Sequence, residues 1–216
     1  MFKAVLFDMD GTLIDTEKYY RIFWPMAMKE FGYDLSDEQV LAMRSLGRPF
    51  APAKLKEWFG QELDYIAVKE KRKELMEACL REKGIEVKPG AFAILKFLRE
   101  RGILTCVATA TDLERTTRYL KQTGLFEYFD KIITATMVKE GKPSPDIYQY
   151  ACQELGLLPE ECLAVEDSPN GVMSAYHAGC KVVLIPDQTS PEEEIRDKVY
   201  AILPSLDKIQ DLFDAP

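Results

Sequence analysis

The stretch Lys3-Ala4-Val5-Leu6-Phe7-Asp8-Met9-Asp10-Gly11-Thr12 decides the reading of this chain. Residues 3–7 read as a buried strand, and the strand discharges directly into two carboxylates one residue apart. While the chain stays extended that spacing puts Asp8 and Asp10 on the same side, and Gly11 predicts a turn immediately afterwards. Like charges held this close repel and raise one pKa. A hard cation such as Mg2+, which takes a few carboxylates plus phosphate oxygens, relieves the repulsion, and so does a shared proton. Asp and Gly are also ordinary turn residues, so the stretch gains its meaning from what the rest of the chain brings beside it.

Downstream, residues 16–84 read as helical throughout. Tyr20, Phe23, Trp24, Ala27, Met28 and Phe31 recur at helical spacing, with Pro25 inside the pattern predicting a kink or a division. Ser36-x-x-Gln39 is a capping box that opens a helix expected to stop near Gly47; Gly60 ends another, and 64–84 is the longest run. After Gly84 the texture changes to alternation: helices over 91–102, 112–124, 145–156 and 169–179, strands over 103–108, 131–134, 162–165 and 181–185. Such alternation predicts an α/β fold, a Rossmann-like parallel sheet with helices on both faces, plus an inserted helical bundle. The expected division is a core of 1–15 and 85–216, and a cap of 16–84.

Ligands of such sheets bind beyond the carboxyl ends of the strands. There the strands end in Asp8-Met9-Asp10, in Thr109-Ala110-Thr111 and in Glu166-Asp167-Ser168, and Gly141-Lys142-Pro143 lies in the loop after Thr134. Together these clusters supply a nucleophile, metal ligands, a hydroxyl and a cation.

Composition narrows the alternatives. The 216 residues are 47% hydrophobic, enough for a large core, and the net charge of −8 disfavours a nucleic-acid partner. Lys69, Lys71, Arg72 and Lys73 alternate with Glu70, Glu74 and Glu77, which reads as a solvated helix face. Five scattered cysteines read as buried thiols of a reducing compartment, and the single histidine, His177, reads as packing or surface. A zinc site has almost no raw material here. No leader precedes the first strand and no apolar run approaches a membrane span, so a cytoplasmic protein, a monomer, is expected.

On these motifs the chain resembles the haloacid dehalogenase-like superfamily of Mg2+-dependent phosphotransferases over its whole length. Asp8-Met9-Asp10-Gly11-Thr12 matches the first motif, Thr109 the second, Lys142 the third and Glu166-Asp167 the fourth; the helical block matches a type I cap. Asp15-Thr16, Lys142-Pro143-Ser144-Pro145-Asp146 and Glu166-Asp167-Ser168-Pro169-x-Gly171 are most similar to the β-phosphoglucomutase-like phosphatases. The resemblance implies Asp8 as nucleophile and Asp10 as the acid, then base. It implies Mg2+ on an Asp8 oxygen, the Asp10 carbonyl and Asp167, with Glu166 a further candidate ligand. Thr109, the Ala110 amide and Lys142 would hold the transferred oxygens. The implied substrate is a small phosphorylated metabolite, a sugar phosphate being one candidate.

Cap residues would select the leaving group, with Thr16, Tyr20, Arg44, Arg48 and Lys73 as candidates. Sugar-phosphate mutases of the family carry a histidine at the position of Tyr20 and a differently spaced arginine loop. A phenol of ordinary pKa near 10 cannot switch protons near neutrality as imidazole does, so hydrolysis is expected ahead of mutase chemistry. A non-enzymatic receiver domain, the alternative of another class, has no reason to carry the helical block or Asp10-Gly11-Thr12.

Overall fold

The computed structural model describes residues 2–214. Strand β1 (Ala4–Phe7) leads into four helices: α1 (Glu17–Glu30), α2 (Asp37–Ala42), α3 (Phe50–Phe59) and α4 (Tyr65–Lys83). Alternation then begins with α5 (Ala91–Glu100), β2 (Leu104–Thr109), α6 (Leu113–Gln122), β3 (Lys131–Thr134), α7 (Asp146–Leu155), β4 (Cys162–Glu166), α8 (Pro169–Ala178) and β5 (Lys181–Leu184). Three short elements close it: α9 (Glu193–Arg196), β6 (Ala201–Ile202) and α10 (Asp211–Asp214). The strands form one parallel sheet in the order β3-β2-β1-β4-β5-β6, a Rossmann-like α/β fold.

The pleat of β1 explains why helices cover both faces. Val5 and Phe7 join Ile94, Leu95 and Leu98 of α5 and Tyr119 and Leu120 of α6. Ala4 and Leu6 join Ile147, Tyr148 and Ala151 of α7 and Val172 and Ala175 of α8. All are buried, and each large aliphatic so enclosed contributes about 1.5–3 kcal/mol. Because β1 lies between β2 and β4, the chain's winding reverses there, and a crevice opens beyond the carboxyl ends of these strands.

Helices α1–α4 have an apolar cluster of their own, in which Trp24, Met28, Leu35, Val40, Leu55 and Val68 meet. The expected capping box is formed: Gln39 N donates to Ser36 Oγ at 3.2 Å and Ser36 N to Gln39 Oε1 at 2.9 Å. Two expectations need correction. Pro25 does not divide α1, which runs unbroken from Glu17 to Glu30; the ring costs one hydrogen bond, and the face carrying Tyr19, Phe23, Trp24, Ala27 and Met28 stays buried on both sides of it. Helix α2 stops at Ala42, not near Gly47, leaving a loop that turns toward the sheet.

Candidate active site

Three strand ends carry the site. Asp8 follows β1 and is fixed by its amide, which donates to Val165 O at 2.9 Å; Thr109 ends β2, and Glu166 ends β4 with Asp167 next. Gly11 takes φ +85°, a left-handed turn directly after Asp10, and its amide donates to Ile14 O at 2.8 Å.

Lys142, wholly buried, reaches this edge from the loop before α7. Its Nζ donates to Asp8 Oδ1 at 2.5 Å and to Glu166 Oε1 at 2.6 Å. Tyr148 Oη donates to the same Glu166 oxygen at 2.6 Å. Glu166 thus orients the lysine. Ligand atoms of Asp8, Glu166 and Asp167 all lie within 4.8 Å of one another. Asp8 and Glu166 share one ammonium, and Asp167 has none. Burial, then the neighbouring Glu166, pushes Asp8 up to about 8 although Lys142 pulls it down. Burial also holds Asp167 and Glu17 well above the ordinary carboxylate range. Burial opposes protonation of Lys142, but Asp8 and Glu166 outweigh it and raise its pKa.

Among buried polar atoms, Asp8 Oδ2 and both Asp167 carboxylate oxygens have no partner among the described residues. Hard anionic oxygens, crowded and unsatisfied, suit a divalent cation.

Asp10 is held differently. Its Oδ1 accepts from Thr16 Oγ1 at 2.6 Å and its Oδ2 from Thr111 Oγ1 at 2.7 Å, so both oxygens are oriented by hydroxyls. Thr109 Oγ1 accepts from Thr111 N at 3.1 Å.

Above these groups lies a cavity of about 340 Å³ between the sheet edge and the helical block. Of the candidate residues, Asp8, Asp10, Thr109, Ala110, Tyr20, Arg44 and Arg48 line it. Thr16 and Lys73 are not among the lining residues: Thr16 is bonded to Asp10, and Lys73 pairs with Glu70 at 3.6 Å. The solvated-face reading of 69–73 therefore needs correction: Arg72 is buried, and with Lys69 it lines the cavity. Sequence reasoning also missed the parts played by Thr111, Tyr148, Glu17 and Arg115. Arg115 carried a usable signal, since it shares the buried stripe of α6 with Thr116, Tyr119 and Leu120.

The loop after α2 closes the cavity by docking on the Lys142 loop. Gly47 N donates to Lys142 O at 2.8 Å and Gly141 N to Arg48 O at 2.6 Å. A Cβ on Gly47 would lie 2.6 Å from the Gly141 Cα, so the two backbones can meet only without side chains.

Comparison with known proteins agrees with this arrangement. The model of the haloacid dehalogenase-like hydrolases matches residues 2–179. Hexitol phosphatase A of Escherichia coli strain K12 is 36% identical over 209 residues, 96% of this chain and 93% of its own length. Protein CbbY of Cereibacter sphaeroides is 32% identical over 203 residues, 90% and 88% of the two chains. The crystal structure of CbbY from Rhodobacter sphaeroides in complex with phosphate superposes with a TM-score of 0.81 at 29% identity, covering 97% of this chain and 96% of that one. Among the described residues no helix is long and apolar enough to cross a membrane. The chain belongs to the haloacid dehalogenase-like hydrolases, as a phosphoric monoester hydrolase.

Proposed function

We propose that the chain is a Mg2+-dependent phosphatase that hydrolyses a small phosphorylated metabolite, in the class of sugar phosphates, through an aspartyl-phosphate on Asp8. One observation carries the reading: a buried Asp8 carboxylate with Oδ1 on Lys142 and Oδ2 unpartnered, directly below a cavity of metabolite size. The names of relatives, among them a hexitol phosphatase, support the substrate class.

In the proposed reaction an Asp8 oxygen attacks phosphorus while the bond to the leaving-group oxygen breaks, and the Asp10 carboxyl gives that oxygen its proton. Thr16 and Thr111 keep Asp10 aimed at it. Water then attacks the aspartyl-phosphate, Asp10 takes the proton back, and phosphate leaves with Asp8 regenerated. Thr109, the Ala110 amide and Lys142 hold the transferred oxygens as charge builds there. Mg2+ on Asp8, the Asp10 carbonyl and Asp167, with Glu166 nearby, would neutralise the repulsion between nucleophile and anionic ester. Residues 16–84 act as a cap that excludes bulk water, over a core of 1–15 and 85–216; the separate apolar cluster of α1–α4 supports that division. Five free cysteines support a reducing compartment such as the cytoplasm.

The test supplies β-glucose 1-phosphate with and without catalytic glucose 1,6-bisphosphate and follows free phosphate and glucose 6-phosphate together. Net phosphate release, lost in Asp8→Asn, is expected. Bisphosphate-dependent glucose 6-phosphate formation that outruns phosphate release would make the chain a mutase instead. The Tyr20 phenol, which burial pushes further above its ordinary range, weighs against that outcome.

A further inference from the structure

The reacting end of the cavity is anionic, but its other wall is the reverse. Arg72 of α4 and Arg115 of α6 are 3% and 5% exposed, and both line the cavity together with Lys69, one turn before Arg72, and Arg48 on the docked loop. Counter-charges are unevenly shared: Arg72 has no ion pair among the described residues, whereas Arg115 feels the carboxylates of Asp10 and Asp112. The Arg72 guanidinium lies 4.6 Å from the Tyr20 ring centre and 5.0 Å from that of Trp24, and the hydrogen bond it makes is to Met76 Sδ at 3.7 Å. Arg115 reaches Thr111 Oγ1 at 3.4 Å and pairs at 3.8 Å with Oδ2 of Asp112, whose Oδ1 caps α6. Arg72 Nε and Arg115 Nε and Nη1 are buried donors with no hydrogen-bond partner, and neither the Lys69 ammonium nor the Arg48 guanidinium has a hydrogen bond or ion pair among the described residues.

Aromatic faces account for one side of a guanidinium, not for its N–H edge. Buried charged donors left without acceptors are costly unless something fills them. The mutual proximity of the cations is felt by Lys69, whose pKa is lowered by burial and then by repulsion from Arg72, Arg115 and Arg48.

We propose that Arg72, Arg115, Lys69 and Arg48 form a second anion subsite, so that the preferred substrate carries a phosphate or carboxylate besides the phosphoryl group presented to Asp8. Guanidinium edges suit either group, because both accept bidentate hydrogen bonds. Arg115 stands one hydroxyl, that of Thr111, from the Asp10 carboxylate, so both anions fit one cavity of about 340 Å³. The inference rests on the phosphatase reading of this same site.

The experiment separates the two. Protein with Mg2+ is first given p-nitrophenyl phosphate, which offers no second anion; no turnover of it or of any other ester below would sink the phosphatase reading itself. Once turnover is established, kcat/KM is compared within two pairs: sorbitol 6-phosphate against 6-phosphogluconate, and fructose 1-phosphate against fructose 1,6-bisphosphate. The first pair adds a carboxylate, the second a phosphate. At least one doubly anionic member should be preferred tenfold or more, mainly through KM. Arg72→Gln and Arg115→Gln should each cut that preference at least tenfold, with Arg→Lys at either position recovering part of it. Lys69→Gln, at a half-exposed position where folding is not at stake, should cut it severalfold. Equal or better use of the singly anionic member in both pairs overturns the proposal, as does a preference that survives all these substitutions.

Discussion

Lys142→Met removes one ammonium from between two carboxylates while keeping most of the stem. Its Nζ stands 2.5 Å from Asp8 Oδ1 and 2.6 Å from Glu166 Oε1, and none of the side chain is exposed, so water cannot take its place. At an effective dielectric of about 20, each contact amounts to roughly 6–7 kcal/mol of attraction, largely offset by dehydration of the charges. The observable is the cost of leaving the carboxylates unpaired, about 3–5 kcal/mol. At about 2–4 °C per kcal/mol for a chain of this size, Tm should fall by about 6–20 °C. The deficit should also depend on pH. Asp8 already sits at about 8 because burial outweighs the pull of Lys142, and without that pull it rises further. Below about pH 8 both native proteins hold the Asp8 proton that the unfolded chain loses near pH 4, so both lose stability alike as pH rises; above about 8 only the variant still holds it, and the deficit grows there by up to about 1.4 kcal/mol per pH unit. Calorimetric melts of both proteins in EDTA at pH 5 and pH 8.5 measure this. A deficit below about 1 kcal/mol at pH 8.5, or one equal at the two pH values, would refute the view that Lys142 neutralises this cluster. With Mg2+, kcat on p-nitrophenyl phosphate should drop at least about 100-fold as well, since the same ammonium is expected on the transferred oxygens.

Asp8→Asn should lower kcat by more than about 100-fold, yet raise Tm in EDTA at pH 8.5, because a neutral amide removes one of the crowded charges. A retained rate above about a hundredth would take the nucleophile's role from Asp8. EDTA should silence the enzyme and Mg2+ restore it, with Ca2+ a poor substitute owing to its longer bonds and larger ligand number. The Tm gain from Mg2+ should be larger at pH 8.5 than at pH 6, since the cluster must shed protons to bind; full activity in excess EDTA, or a gain independent of pH, would contradict this. Gly141→Ala puts a Cβ 2.7 Å from the Gly47 Cα and should break the docking of the Arg48 loop on the Lys142 loop, lowering kcat/KM at least about tenfold. Rates within twofold of the parent would show that the docking has no part in turnover.

Much of this architecture could be read from the sequence because it rests on two periodicities. Alternation in residues 4–7 sorts β1 onto two helical layers, and proline or glycine marks the ends of α7 and α8. The polar clusters at the strand ends could be joined on paper because a parallel sheet delivers all its carboxyl ends to one edge. What escaped notice lacked such a pattern. Strand β6 is two residues long and is defined by its pairing with β5, not by composition. The loop 43–49 follows from a backbone contact between two glycines far apart in sequence, and Glu17 and Tyr148 acquire their surroundings only when the strands assemble.

The buried arginines were a different kind of failure, because periodicity did contain them. Tyr65, Val68, Arg72, Met76 and Leu80 make the buried stripe of α4 at spacings of three and four, and Arg72 occupies its middle position. Lys71 and Lys73 flank it and pair with Glu74 at 3.5 Å and Glu70 at 3.6 Å, as a solvated face should. Treating 69–73 as one basic run averaged two faces that the helical turn separates. A cation on an apolar stripe costs stability unless paired, and α4 and α6 each place one there, facing the same cavity. Two such violations converging on one space, beside a site already crowded with carboxylates, are accounted for by an anion that arrives with the substrate and not by packing.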